Sequence, residues 1–213
     1  MKIRRTANAG VLLWLDDVTI LLDGVCREVK PYPATPPEIR EQLLQQLPDA
    51  VVYTHAHDDH YDPAFAALYA EKTAGPVLGP ADIPFSSQGQ WKLKNVTITP
   101  VDSNHMGKTE PIGHRSYVIR GSKCVWFMGD ASPLHWLEKD LPKPDVLIAP
   151  YGFAMGKGWE IAKALQPATI VLLHLPERHD DIYGLWDAVE QATAGGPHPT
   201  VLIPYMGQTL RLL

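Results

Sequence analysis

Thiol chemistry is nearly missing from this 213-residue chain, whose two cysteines, Cys26 and Cys124, lie far apart and outside any Cys-x-x-Cys pair. That argues against a disulfide scaffold or a thiolate zinc knot and fits a reducing cytoplasm. Runs of lysine or arginine are missing too, and the net charge of −5 gives no footprint for nucleic acid or a membrane surface. No stretch approaches the ~20 apolar residues of a membrane span. The early run "AGVLLWL" stops at Asp16-Asp17 with no small-residue cleavage site after it, and reads as a strand rather than a signal peptide. Repeats and low-complexity linkers are also lacking. The length fits one domain, residues 1–213, with 45% apolar and 20% charged residues as in ordinary globular chains.

What is present alternates between two patterns. "GVLLWL" and "VTILLDG" read as an opening hairpin turning at Asp16-Asp17. "TPPE" at 35–38 predicts a capping box with proline at the first position of a helix over 36–47. "AVVYT" (50–54) is a short strand, and Asp62-Pro63 opens a helix "AFAALYAEKT". A short strand at 76–80 is followed by four more, "WKL", "VTITPV", "SYVIR" and "CVWFM". Then come a helix "LHWLEKDL", a strand "DVLIAP", a helix "WEIAKAL", a strand "ATIVLLH", a helix "IYGLWDAVEQAT", and the closing strands "TVLIP" and "TLRLL". Hairpins early and β-α-β alternation late predict a layered α/β sandwich of two packed sheets with helices outside.

Histidine is concentrated where the strand "AVVYT" ends. "THAHDDHYD" places His55, His57, Asp59 and His60 in the spacing His-x-His-x-Asp-His. Alternate residues leaving a strand point the same way, so His55 and His57 can grip one ion together. Asp59 and His60 follow in the turn, where the chain can swing them toward a second ion. Imidazole and carboxylate suit zinc, with iron or manganese as alternatives. Asp23, His105, Asp130 and His174 each stand at or just beyond the end of a predicted strand. Layered α/β proteins gather their working residues at such ends.

This order of residues resembles the metallo-β-lactamase-fold hydrolase superfamily: a strand-end Asp, the His-x-His-x-Asp-His quartet, then a His, an Asp and a final His. The resemblance runs from about residue 8 to the end. It implies a four-layer αββα sandwich, two mixed β-sheets packed face to face with helices on both outer faces. It also implies that His55, His57 and His105 hold one divalent ion, Asp59, His60 and His174 a second, with Asp130 bridging them. Asp23 would hold the quartet loop by hydrogen bonds. Asp59 would be the catalytic residue, orienting the attacking water and passing its proton to the leaving group. The tail "PYGFAMGKGWEIAKALQPATIVLLHL" resembles the subgroup of ascorbate-6-phosphate lactonase-like proteins, with Ala154-Met155 where that subgroup has Thr-Met.

The expected activity is hydrolysis of an ester, lactone or phosphoester-type bond in a small molecule, without nucleic-acid or membrane partners; self-association is left open. A non-hydrolytic di-metal protein on the same fold, redox or metal-binding, is the alternative class. Tyr151, Met155, Lys157 and Trp159 are candidates for the pocket wall, as is His179, with Lys157 more simply a solvated lysine. His114 lies in a loop that could reach the site entrance. Tyr61 is read as packing beneath the quartet, and His135 and His198 as structural or exposed.

Overall fold

Apolar runs such as "DVLIAP", without polar alternation, belong to strands covered on both faces. The computed structural model describes residues 1–107, 113–136, 140–194 and 199–212, the side chain of His135 excepted, and it contains such strands in two sheets. The first sheet is built from β1 (Lys2–Arg5), β2 (Val11–Leu15), β3 (Val18–Leu22), β4 (Ala50–Val52), after helix α1 (Pro37–Gln45), and β5 (Val77–Leu78), after helix α2 (Pro63–Lys72). The second takes β6 (Trp91–Leu93), β7 (Val96–Asp102), β8 (Arg115–Arg120), β9 (Cys124–Phe127) and β10 (Val146–Pro150). Helix α3 (Gly156–Ala164), β11 (Thr169–Leu173), helix α4 (Leu185–Thr193) and β12 (Thr200–Leu202) follow, and β13 (Thr209–Arg211) returns to the first sheet beside β1.

Side-chain alternation divides the interior into three apolar layers. Val146 and Ile148 of β10 meet Ile20, Leu22 and Val52 between the sheets, while Leu147 and Ala149 face Ile161 and Ala162 of α3 and Val189 of α4. On the opposite side Leu21, Val51 and Tyr53 face Ile39 and Leu43 of α1 and Phe65 and Tyr69 of α2. The result is the expected αββα sandwich of two mixed sheets. Among the described residues no helix is long and apolar enough to cross a membrane.

Strand direction decides where the chemistry can gather. β3 and β4 are parallel, as are β9, β10 and β11, and β7 runs the same way as β9 across antiparallel β8. The loops after β4, β7, β9 and β11 therefore all emerge at one edge of the sandwich. Backbone bonds tie the two sheets together there, from Arg115 to Thr54 (2.9 Å) and from His174 to Asn8 (3.3 Å).

Local departures from the sequence reading have local causes. Strand β1 was not expected, because only Ile3 in "KIRR" looks like core; Arg5 is buried by donating to the carbonyls of Ala7, Asn8 and Pro204. The capping box does not form: Thr35 Oγ1 accepts from Cys26 N instead, leaving Pro36 as an unassisted cap with Pro37 first in the helix. Asp62 does cap α2, accepting from Ala64 N and Phe65 N. Helix α4 begins at Leu185, later than expected, because Gly184 turns left-handed and Asp181 accepts from Leu185 N and Trp186 N. The expected helix "LHWLEKDL" runs into residues outside the described ones, after a 3₁₀ turn over Pro133–His135, and His198 also lies outside them.

Candidate metal centre

Asp23 leaves β3 with a left-handed backbone (φ 44°) and its N–H bound to Val52 O. This turns its fully buried carboxylate under the quartet. Oδ1 accepts from Thr54 N (2.8 Å), and Oδ2 from Thr54 Oγ1 (2.6 Å) and His60 Nδ1 (2.9 Å). Thr54 Oγ1, having donated its proton to Asp23, is left to accept from His55 Nδ1 at 2.9 Å. His105 Nδ1 donates to Met106 O at 2.7 Å. Each of these three imidazoles spends its Nδ1 proton outward, which leaves the Nε2 lone pair facing the centre.

The carboxylates complete the arrangement. Gly129 turns left-handed (φ 54°), and a Cβ there would lie 2.5 Å from the Thr54 side chain, so only glycine delivers Asp130 to this position. Asp130 Oδ1 lies 3.3 Å from His60 Nε2, and Oδ2 lies 3.5 Å from His105 Nε2 and 3.3 Å from His174 Nε2. Asp59 Oδ2 is 3.2 Å from His174 Nε2 and 3.9 Å from His60 Nε2. His55 Nε2 and His57 Nδ1 converge to 2.9 Å. One set of donor atoms from His55, His57 and His105, and another from Asp59, His60 and His174, each fit within 4.8 Å, with Asp130 between them. Asp23 also clusters with His55 and His60, but its oxygens are taken by Thr54 and His60, so it supports the loop.

The protons confirm how crowded the cluster is. Burial pushes His55 well below the ordinary histidine range, with the charge of His60 adding to the effect. Burial would lower His60 too, but the Asp130 charge, with the charge and hydrogen bond of Asp23, holds it well above that range. In His174 burial is likewise outweighed, chiefly by Asp130, and the group is pushed up to about 9. Asp130 goes the other way: despite burial, the charges of His174 and His60 hold it well below the usual carboxylate range.

The donor set fits divalent ions. His60 Nε2, His105 Nε2, His174 Nε2 and Asp130 Oδ1 are buried with no hydrogen-bond partner. Each such orphan costs about 1–3 kcal/mol, and several aimed at one point call for a cation.

All seven sequence-predicted ligands are thus brought to one edge, and other residues sort themselves around them. Tyr61 packs edge-on against Tyr53, Asp58 pairs with Arg27, and Asp62 pairs with Arg40 while capping α2. Lys157 is exposed at the start of α3, and Met155 and Trp159 pack into the layer beneath it rather than forming a pocket wall. His114 is buried behind the site instead of reaching its entrance. Its Nε2 accepts from Asp130 N (3.0 Å) and its Nδ1 meets Ser103 Oγ (2.8 Å), which meets Ser116 Oγ, which donates to Met128 O. Burial pushes His114 down to about 3, so it stays neutral and can accept. Thr54, Ser103 and Ser116 were missed, although Thr54, immediately before His55, could have been suspected. Tyr32 was missed as well: its ring meets that of His174 edge-on, with centroids 4.4 Å apart.

Fold and site together define a class, the metallo-β-lactamase fold with a histidine–aspartate cluster at its strand ends. The metallo-β-lactamase-fold protein YhfI of Bacillus subtilis superposes with a TM-score of 0.64 at 19% identity, covering 98% of both chains. An isothiocyanate hydrolase from Delia radicum gut bacteria gives 0.70 at 18% identity, covering 100% of this chain and 99% of that one. In sequence, a metal-dependent hydrolase of the UPF0173 group from Cupriavidus necator is 24% identical over 251 residues, spanning 95% of this chain and 86% of its own. No family model matches the chain.

Proposed function

We propose that this chain is a metal-dependent hydrolase that holds two divalent ions, zinc first with manganese or iron as alternatives, and cleaves an ester, lactone or phosphoester-type bond in a small molecule. The observation that carries this is the set of buried Nε2 atoms of His60, His105 and His174 that face Asp130 without hydrogen-bond partners. The similarity to metal-dependent hydrolases along nearly the whole chain supports it. His55, His57 and His105 would hold one ion, and Asp59, His60 and His174 the other, with Asp130 shared. Bound there, such ions supply Lewis acidity and lower the pKa of water toward about 7.

The chain's own residues do the rest. Asp59 orients the attacking water, takes up its proton and passes it to the leaving group; the nearby His174 and His60 imidazoles keep its carboxylate ionised despite burial. Asp23 and Thr54 lock the tautomers of His60 and His55, and His114 fixes the backbone at Asp130. Placement beside the ascorbate-6-phosphate lactonase-like proteins rests on the tail motif alone and leaves a lactone among the candidate substrates. The whole chain would act as one domain, with a small molecule as its partner. A screen of ester, lactone, thioester, amide and phosphodiester substrates with metal-loaded and chelator-stripped protein tests the proposal. Turnover of at least one class that vanishes on stripping and returns on reloading is expected; turnover indifferent to metal would overturn it.

A further inference from the structure

A cleft of about 610 Å³ opens between residues 28–33 and 177–183, and Tyr32 is the wall it shares with the metal cluster. Burial, with Tyr151, Asp130 and Asp59 adding to it, raises the Tyr32 hydroxyl far above its ordinary range. One flank is apolar and rigid: Pro31, Tyr32 and Pro33, with Val29 and Tyr32 bonded to each other through both backbone pairs (3.0 and 2.6 Å). On the other flank Ile182 and Tyr183 are 78% and 74% exposed. The Asp181 cap and the Gly184 turn hold them out of the core and on the cleft. Large apolar side chains on a preformed concave surface beside a reactive centre are what a substrate pocket requires.

The charge on this cleft narrows what it can accept. Glu28, Glu177 and Asp180 line it, against the single ammonium of Lys30. His179 is also there, but its ring faces Asp180 at 3.3 Å. Neighbouring guanidinium groups are turned to other uses: Arg178 pairs with Glu190 and stacks on Trp186 at 4.1 Å, and Arg27 pairs with Asp58. A phosphate or carboxylate on the part of the substrate remote from the scissile bond would meet three carboxylates. An ammonium carried on an apolar frame would meet both the aromatic walls and opposite charge.

We propose that this cleft is the substrate subsite and that it selects an apolar group bearing positive charge, so that amine-bearing esters or lactones, and not phosphorylated ones, are the substrate class. The assignment rests on the hydrolase reading for its chemistry but not for its binding. The test is titration of the metal-loaded protein with benzyltrimethylammonium, followed by calorimetry, in wild type, Glu177→Lys/Asp180→Lys and Tyr183→Ala. These side chains are exposed, so the variants should fold and keep their metal, which elemental analysis checks. Saturable binding is expected in wild type, weakened about tenfold or more by the charge reversal and measurably by loss of the aromatic wall. Absence of saturable binding, or an affinity unmoved by both variants, would overturn the proposal. A protein that hydrolyses esters yet ignores the probe overturns the subsite alone; one that binds the probe but neither metal nor ester overturns the hydrolase reading and leaves the cleft standing.

Discussion

Replacing Asp23 by asparagine changes one buried atom and should disable His60 as a candidate metal ligand, although Asp23 itself is not one of the candidate ligands. Oδ1 accepts the Thr54 N–H at 2.8 Å, so the amide nitrogen cannot sit there without two donors facing each other. It must take the Oδ2 position, opposite Thr54 Oγ1 and His60 Nδ1. There it can donate to His60 only if Nδ1 gives up its proton, which moves the proton to Nε2, the atom that faces Asp130. His60 then has either its hydrogen bond or its metal. Losing such a support weakens metal affinity about 10- to 100-fold, and the exchanged charge-assisted bond costs about 1.5–3 kcal/mol of stability. Equilibrium dialysis against buffered zinc, with elemental analysis, reads the first effect, and denaturant unfolding of the metal-free protein reads the second. An Asp23→Asn protein that folds and binds its full complement of metal with wild-type affinity would refute the tautomer-locking argument.

His114→Ala leaves the Asp130 N–H without its acceptor and Ser103 with Ser116 alone, so a loss of about 1–3 kcal/mol and lower metal occupancy are expected, read by thermal unfolding and metal analysis. His114→Gln, which can accept and donate in the same places, should recover part of both. The metal-free protein should lose stability as pH rises. His174, raised to about 9 from 6.5, contributes about 3 kcal/mol that is fully present below pH 6.5 and lost as pH climbs through 9. Metal uptake displaces the same protons, so zinc affinity should rise over that interval, and calorimetry in buffers of different ionisation enthalpy should detect proton release. Lys157→Ala should leave metal content unchanged and alter stability by less than about 0.5 kcal/mol, because the side chain is exposed and does not line the cleft.

The candidate ligands were legible because their chemistry is compressed in sequence or punctuates a strand. His55, His57, Asp59 and His60 fall within one turn, and His105, Asp130 and His174 stand at or just beyond visible strand ends. Parallel strand direction then carries them to one edge. The supports were not legible, because each is an ordinary residue given its role by a neighbour far along the chain. Ser103 and Ser116 matter only through His114, and Thr54 through Asp23. Competition for a hydroxyl spoiled the capping box at Thr35, and burial of the Arg5 guanidinium hid a strand. Of the expected pocket wall, Tyr151 approaches His174, with ring centroids 6.3 Å apart, and His179 lines the cleft; the opposite side of the cleft, Pro31-Tyr32-Pro33, reads in sequence as nothing more than a loop.

Seven residues at one edge of the sandwich are proposed to form a two-ion centre. Elemental analysis of the purified protein, dialysed against trace divalent metal, tests it most directly when wild type and His57→Ala are measured together. About two ions per chain are expected in wild type and a clear loss in the variant. A wild-type chain that retains no divalent ion would contradict it.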